Sequence, residues 1–145
     1  MTKLAPAQRE DYAHLSTITI RWMDIDTYGH VNNVNYYSYF DTAVNRYLIE
    51  AGVLNPQQSE VIGLVVQTQC NYLAPLHFPG DVEAGIRVAH TGRSSVRYEI
   101  GLFESGQNTA AAMGHFVHVY VDAATRRPVE ALPQALLAAL TPLQR

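Results

Sequence analysis

Ten consecutive residues carry the densest chemistry in this chain: Asp24-Ile25-Asp26-Thr27-Tyr28-Gly29-His30-Val31-Asn32-Asn33. Two carboxylates, a flexible glycine and a histidine stand between a strand-like run and a helix-like run. The first turn of a helix leaves backbone N–H groups unpaired and carries the positive end of the helix dipole, so it can hold a developing oxyanion. A carboxylate base or nucleophile beside such a site is the minimum equipment for acyl transfer.

The flanking segments must position that group. Before it, Ile18, Ile20 and Trp22 alternate with Thr17, Thr19 and Arg21, which predicts a strand over 17–23. After it, residues 34–51 contain neither Gly nor Pro. Phe40, Ala43, Val44, Tyr47, Leu48 and Ala51 recur there at three-and-four spacing, which predicts a helix of about five turns. Asn32 or Asn33 can cap its start, and Gly52 suits the left-handed position beyond its end. Tyr36, Tyr37 and Tyr39 make the helix bulky on more than one side. Either a curved sheet encloses it, or the aromatics pack on one face and leave their remaining hydroxyls in water.

Beyond a Pro-Gln-Gln loop the chain turns to strands. Residues 61–72 are long and β-branched, and Pro75, Pro79 and Gly80 end the run. Alternating apolar residues mark three more strands, near 82–88, 96–102 and 113–121. The breaks at 91–94 and 104–108 are short enough for hairpins. Pro128 and Pro133 bracket the exit, and Leu136, Leu137 and Leu140 suggest a short closing helix. One strand, a long helix and a four-strand meander make an α+β plan, with the sheet wrapped around the helix and an edge that needs covering or pairing. Residues 1–15 read as an N-terminal arm and 16–145 as a single domain.

The chain has 145 residues, of which nearly half are hydrophobic and only 16% charged. Such a low charge fraction in one small domain argues that another subunit covers part of the surface. The net charge of −3 gives no electrostatic case for nucleic acid or for an anionic membrane. Cys70 is the only cysteine, so no intrachain disulfide forms; in its apolar run it reads as a buried, inert thiol. The N-terminus lacks the apolar stretch of a signal peptide, and no run approaches the ~18 apolar residues of a membrane span. The expectation is a cytoplasmic protein. His115 and His118 are three apart, so a strand points them to opposite faces, and with His14, His77 and His90 they form no zinc spacing. No Gly-rich nucleotide loop and no Gly-x-Ser-x-Gly elbow occurs. No metal or other cofactor is expected.

With Asp-x-Asp-x-x-Gly-His-Val-Asn-Asn between first strand and helix, the chain resembles the hotdog fold: a five-stranded antiparallel sheet around one long central helix. Within it, the chain is similar to the 4-hydroxybenzoyl-CoA thioesterase-like family of acyl-CoA thioesterases. The resemblance runs over about residues 16–125 and is strongest from Arg21 to Tyr36. It implies that Asp26 is the catalytic carboxylate and that the backbone N–H at Asn33 polarises the thioester carbonyl. It assigns Gly29, Asn32, Asn35 and Tyr36 to the substrate's surroundings. A related pattern in plant-type acyl-carrier-protein thioesterases implicates the His in catalysis, which brings in His30. Departures after the Gly, where benzoyl-type members carry Val or Ile plus an aromatic, leave the acyl group open.

Each assignment has a plainer counterpart. Asp26 could be a helix-capping aspartate, Asp24 reads as a loop-stabilising carboxylate, and His30 divides between positioning substrate or water and holding its loop. Arg93, Ser94 and Arg97, at a hairpin, could meet coenzyme A phosphates or simply face water; Arg126 and Arg127 are a weaker version of the same idea. The expected activity is hydrolysis of an acyl-CoA thioester to a carboxylic acid and free coenzyme A. By resemblance the functional unit is a homodimer or homotetramer. Two alternatives remain: a hotdog module that binds acyl-CoA without turnover, and a hydratase or dehydratase. The second calls for Asp-x-x-x-x-His, one residue longer than Asp26 to His30.

Overall fold

The computed structural model describes residues 5–145. Strand β1 (His14–Thr19) is followed by helix α1 (Asn33–Glu50), strands β2 (Val61–Tyr72), β3 (Asp81–Thr91), β4 (Ser95–Glu104) and β5 (Ala112–Asp122), and a closing helix α2 (Gln134–Leu140). The five strands form one antiparallel sheet in the order β1-β3-β4-β5-β2. The α+β plan expected from the periodicity is the plan of the molecule, but the expected four-strand meander is not: only β3-β4-β5 run as a meander, while β2 crosses to the far edge to pair with β5 and β1 takes the place beside β3.

One face of the sheet forms the core with α1. Val82, Ala84, Ile86 and Val88 of β3 and Val96, Tyr98, Ile100 and Leu102 of β4 are all at most 2% exposed. Against them α1 buries Tyr36, Tyr39, Phe40, Ala43, Val44 and Leu48. The helix is not enclosed on all sides, because Asp41, Arg46, Ile49 and Glu50 face water. Its tyrosines instead broaden one buried face, with Tyr37 at the margin. Ala51, expected on that face, is exposed. Tyr47 is half-buried and its hydroxyl donates to the Ala139 carbonyl at 2.6 Å, which ties α2 to α1.

The first strand departs from expectation. It spans His14–Thr19 rather than 17–23, and Trp22–Asp24 form a 3-10 turn. Two hydrogen bonds cause the change: Asp24 N–H donates to the Arg21 carbonyl, and Arg21 N–H donates back to the Asp24 carboxylate, both at 2.9 Å. A carboxylate three residues downstream thus captures the backbone that would have continued the ladder. Trp22 and Met23 are over 70% exposed, so the apolar alternation there was no burial signal. Helix α1 begins and ends one residue before its expected bounds, and Gly52 follows it at φ +77°.

The described part of the 1–15 segment packs on the sheet's outer face as far as Tyr12, and its last two residues, His14 and Leu15, already belong to β1. Ala7 and Tyr12 bury against Phe103 and Ala110. The Tyr12 ring lies over Gly85 and Gly101, paired across β3 and β4, where a Cβ would come within 2.8 and 2.4 Å of it. The first four residues of that segment lie outside the described residues.

Candidate active site

Asp24 and Asp26 leave the same stretch of chain and meet different surroundings. Asp24 is 1% exposed. Its Oδ2 accepts the Arg21 N–H and the Tyr39 hydroxyl, both at 2.9 Å, and its Oδ1 accepts Arg21 Nε and Nη2 at 3.1 and 2.9 Å. Its carbonyl accepts Asn32 N–H at 2.8 Å and Asn35 Nδ2 at 2.9 Å. Burial pushes the carboxyl pKa up, but the Arg21 guanidinium and N–H and the Tyr39 hydroxyl outweigh it and hold the group below the ordinary carboxylate range. The Arg21 bonds close the turn, and the Tyr39, Asn35 and Asn32 bonds join it to the helix and its cap.

Asp26 holds its own loop and keeps one oxygen over. Oδ1 accepts the N–H groups of Tyr28 and His30 at 2.8 and 3.3 Å. Its N–H donates to the His30 carbonyl at 2.8 Å, and its carbonyl accepts Gly29 N–H at 3.2 Å. Gly29 sits at φ +82°, a left-handed conformation that a side chain disfavours, so the loop needs glycine to close over the carboxylate. Among the described residues Oδ2 accepts no hydrogen bond.

The helix begins two residues after this loop. Asn32 is the cap: its Oδ1 accepts Val34 N–H at 3.2 Å and its carbonyl accepts Asn35 N–H. Asn33 N–H has no acceptor among the described residues. Asp26, His30, Val31, Asn33 and Tyr36 line one open cleft of about 370 Å³, walled on the far side by Tyr72 through Pro75. The Tyr72 hydroxyl donates to the Asn33 carbonyl at 3.1 Å and its ring packs edge-on against Tyr36, with centroids 4.8 Å apart. A carboxylate oxygen, an imidazole and an unpaired N–H at a helix N-terminus thus share one solvent-open site. That combination suits attack on a carbonyl whose oxygen gains negative charge.

The model of the thioesterase-like superfamily matches residues 20–140. The chain belongs to the thioesterase-like superfamily. No curated protein matches it in sequence. Among solved structures, the PA5185 protein of Pseudomonas aeruginosa strain PAO1 is 56% identical with a TM-score of 0.92, over 96% of each chain. A thioesterase of Thermus thermophilus, solved with coenzyme A and Zn, is 30% identical with a TM-score of 0.75, over 93% of this chain and 97% of that one. A 1,4-dihydroxy-2-naphthoyl-CoA thioesterase of Synechocystis is 15% identical with a TM-score of 0.78, over 87% and 93%, and shows the shared fold alone. The fold is the hotdog fold, and the protein is a thioester hydrolase.

In this hydrolase the expected site residues separate into three groups. Asp26, His30, Asn33 and Tyr36 line the cleft, and Gly29 and Asn32 shape its loop and cap. Asn35 does not line the cleft; its amide N–H₂ donates to the Asp24 carbonyl. Arg93, Ser94 and Arg97 lie at the β3–β4 hairpin, about 30 Å of strand from the sheet end that carries Asp26. There Arg97 pairs with Glu99 at 3.4 Å, and Arg93 and Ser94 border a separate depression with Pro128 to Glu130. One chain does not bring this hairpin to the cleft.

Tyr72 and the loop after it were not anticipated, although Pro75, Pro79 and Gly80 marked that loop. Cys70 is half-buried rather than buried, and burial pushes its thiol up to about 11, so it stays protonated and inert. No cluster of metal-ligating side chains occurs among the described residues. A more enclosed cavity of about 320 Å³ lies at the other end of α1, between Leu48, Leu54, Ile62 and Leu136. Its histidine, His118, is driven down to about 4 by burial and is neutral at pH 7. The Asp26 loop is not part of it, so the reactive groups mark the shallower cleft as the candidate active site.

Proposed function

We propose that this thioesterase hydrolyses acyl-CoA at the Asp26 cleft. The observation that carries the reading is that the Asp26 carboxylate and the unpaired Asn33 N–H line one cleft, in a chain of the thioesterase-like superfamily. Asp26 adds to the thioester carbonyl carbon, or takes the proton of the water that adds. The negative charge that develops on the carbonyl oxygen meets Asn33 N–H and the positive end of α1. The C–S bond then breaks and the sulfur takes a proton; where Asp26 itself has added, water then hydrolyses the acyl–Asp26 anhydride, and on either route a carboxylic acid and free coenzyme A leave. His30, beside the carboxylate, positions water or substrate. The structure of the Thermus relative with coenzyme A supports the carrier. No cofactor is needed for this reaction. A panel of acyl-CoAs assayed with a thiol-trapping dye should show release of free thiol from at least one member. Binding of acyl-CoA without thiol release would replace the reading with that of a carrier module.

The working unit in this proposal is a homodimer, or a tetramer built from it, in the cytoplasm. β2 is an edge strand, and Leu64, Val65 and Val66 on it are exposed. An open apolar edge is a pairing surface, and antiparallel pairing of two β2 edges would cover it. Light scattering at micromolar concentration should give twice or four times the monomer mass, and Val65→Lys should lower it. A stably monomeric, fully active protein would overturn the shared assembly.

A further inference from the structure

The loop that leads into β3 runs beside the Asp26 loop. Val31 N–H donates to the Leu76 carbonyl at 2.9 Å, and His30 and His77 form an isolated antiparallel bridge. Leu76, fully buried, anchors this contact in the core. The two histidine rings meet edge to face, with centroids 5.2 Å apart and planes at 86°. Beyond them, His77 Nδ1 stands 2.7 Å from Oε1 of Glu104, the last residue of β4. An ionised carboxylate only accepts, so Nδ1–H donates and the His77 ring has one orientation.

Three side chains therefore stand in a row, from the end of β4 through the 73–80 loop to the cleft. The His30 ring makes no hydrogen bond among the described residues, and the His77 ring packs against it edge to face. The His77 and Glu104 side chains are 50% and 36% exposed. A polar contact that open adds little to stability, typically ~0–1 kcal/mol. What it does supply is direction, since it fixes a ring that borders the imidazole of the reaction site.

We propose that His77 and Glu104 are positioning residues: Glu104 orients the His77 ring, and that ring holds the His30 imidazole at the Asp26 cleft. The inference rests on the acyl-CoA hydrolysis proposed above. A misplaced reacting group costs rate rather than affinity. His77→Ala and Glu104→Ala should each lower kcat on the order of ten-fold with KM nearly unchanged. Glu104→Gln, whose amide oxygen still accepts the Nδ1–H bond, should keep kcat within about two-fold of wild type.

The decisive measurement is a double-mutant cycle, since residues acting through one another are not additive. In a His30→Ala background, His77→Ala should change kcat by less than about two-fold. A further ten-fold loss there would overturn the proposal, as would a Glu104→Gln loss equal to that of Glu104→Ala. Melting temperatures separate these results from unfolding. Proton NMR provides an arm that does not depend on turnover: cross-relaxation between the His30 and His77 ring protons should be present in wild type and weakened by Glu104→Ala. If no acyl-CoA is hydrolysed but the NMR contact behaves this way, the hydrolysis reading fails and the positioning contact stands. If Asp26→Asn abolishes hydrolysis while His30→Ala and His77→Ala do not reduce it, the positioning proposal fails and the hydrolysis reading stands.

Discussion

Asp26→Asn should lower kcat by about 10²-fold or more and leave the melting temperature near that of wild type. The amide oxygen can still accept the N–H groups of Tyr28 and His30, so the loop keeps its shape. What the substitution removes is the charge and basicity of the oxygen that has no partner within the described residues. Asp24→Asn, two residues away, should do the opposite. It weakens the Arg21 bonds that close the turn and the Tyr39 bond that joins it to α1, so stability falls by ~1–3 kcal/mol with a smaller effect on kcat.

The pH dependence of the Asp24 contribution has a definite sign. Its folded-state pKa is held below the ordinary carboxylate value of 3.8, so its stabilisation is complete above that value. It is lost as pH falls through the folded-state pKa. The wild-type advantage over Asp24→Asn should therefore shrink in strongly acidic solution. Equal kcat losses from the two substitutions, with melting unchanged, would remove Asp26 from its assigned role.

Gly114→Ala should produce the largest loss of stability from a single added methyl group. Its Cβ would stand 2.3 Å from the Gln69 carbonyl oxygen and 2.5 Å from the edge of the Phe40 ring. Neither neighbour can yield easily: Gln69 is held in the β2–β5 ladder, and Phe40, on the buried face of α1, is 1% exposed. Overpacking at such a site costs ~1–3 kcal/mol, sometimes more, which corresponds to a drop of roughly 3–10 °C in melting temperature for a chain of this size. Phe40→Leu, destabilising alone, should reduce the added cost of Gly114→Ala, because it relieves the ring contact and leaves only the carbonyl. An unchanged melting temperature for Gly114→Ala would mean that helix and sheet approach less closely at this point than the structure describes.

The elements of this fold were legible because burial on one face imposes a period. Alternation at 82–88 and 96–102 is the record of a sheet with α1 on one side, whereas in β5 the core is met by Phe116 and Tyr120 rather than by the alternating Met113, Val117 and Val119; the three-and-four spacing from Phe40 to Leu48 is the record of that helix's buried face. The reactive loop was legible for a local reason as well. Asp26 bonds Gly29 and His30 within one short turn and Asn32 caps the helix just after it, so their types and spacing already specify a tight turn before a helix. Periodicity failed where a side chain took the backbone's place. The Asp24 carboxylate bonds Arg21 N–H, ends β1 early, and turns Trp22 outward despite its apolar character.

Contacts between segments distant in the chain were decided by the tertiary structure alone. Tyr12 over Gly85 and Gly101, Tyr72 on Asn33, and Glu104 on His77 on His30 each join residues whose spacing carries no mutual signal. The same applies to the β3–β4 hairpin: Arg93, Ser94 and Arg97 had the right chemistry for a phosphate, yet strand direction sends them to the far end of the sheet. A residue's type and its neighbours in sequence determine what chemistry it can do and which element it joins. Which groups meet in one cleft depends on strand order, register and the direction of each strand, and these follow from the packing of the whole core.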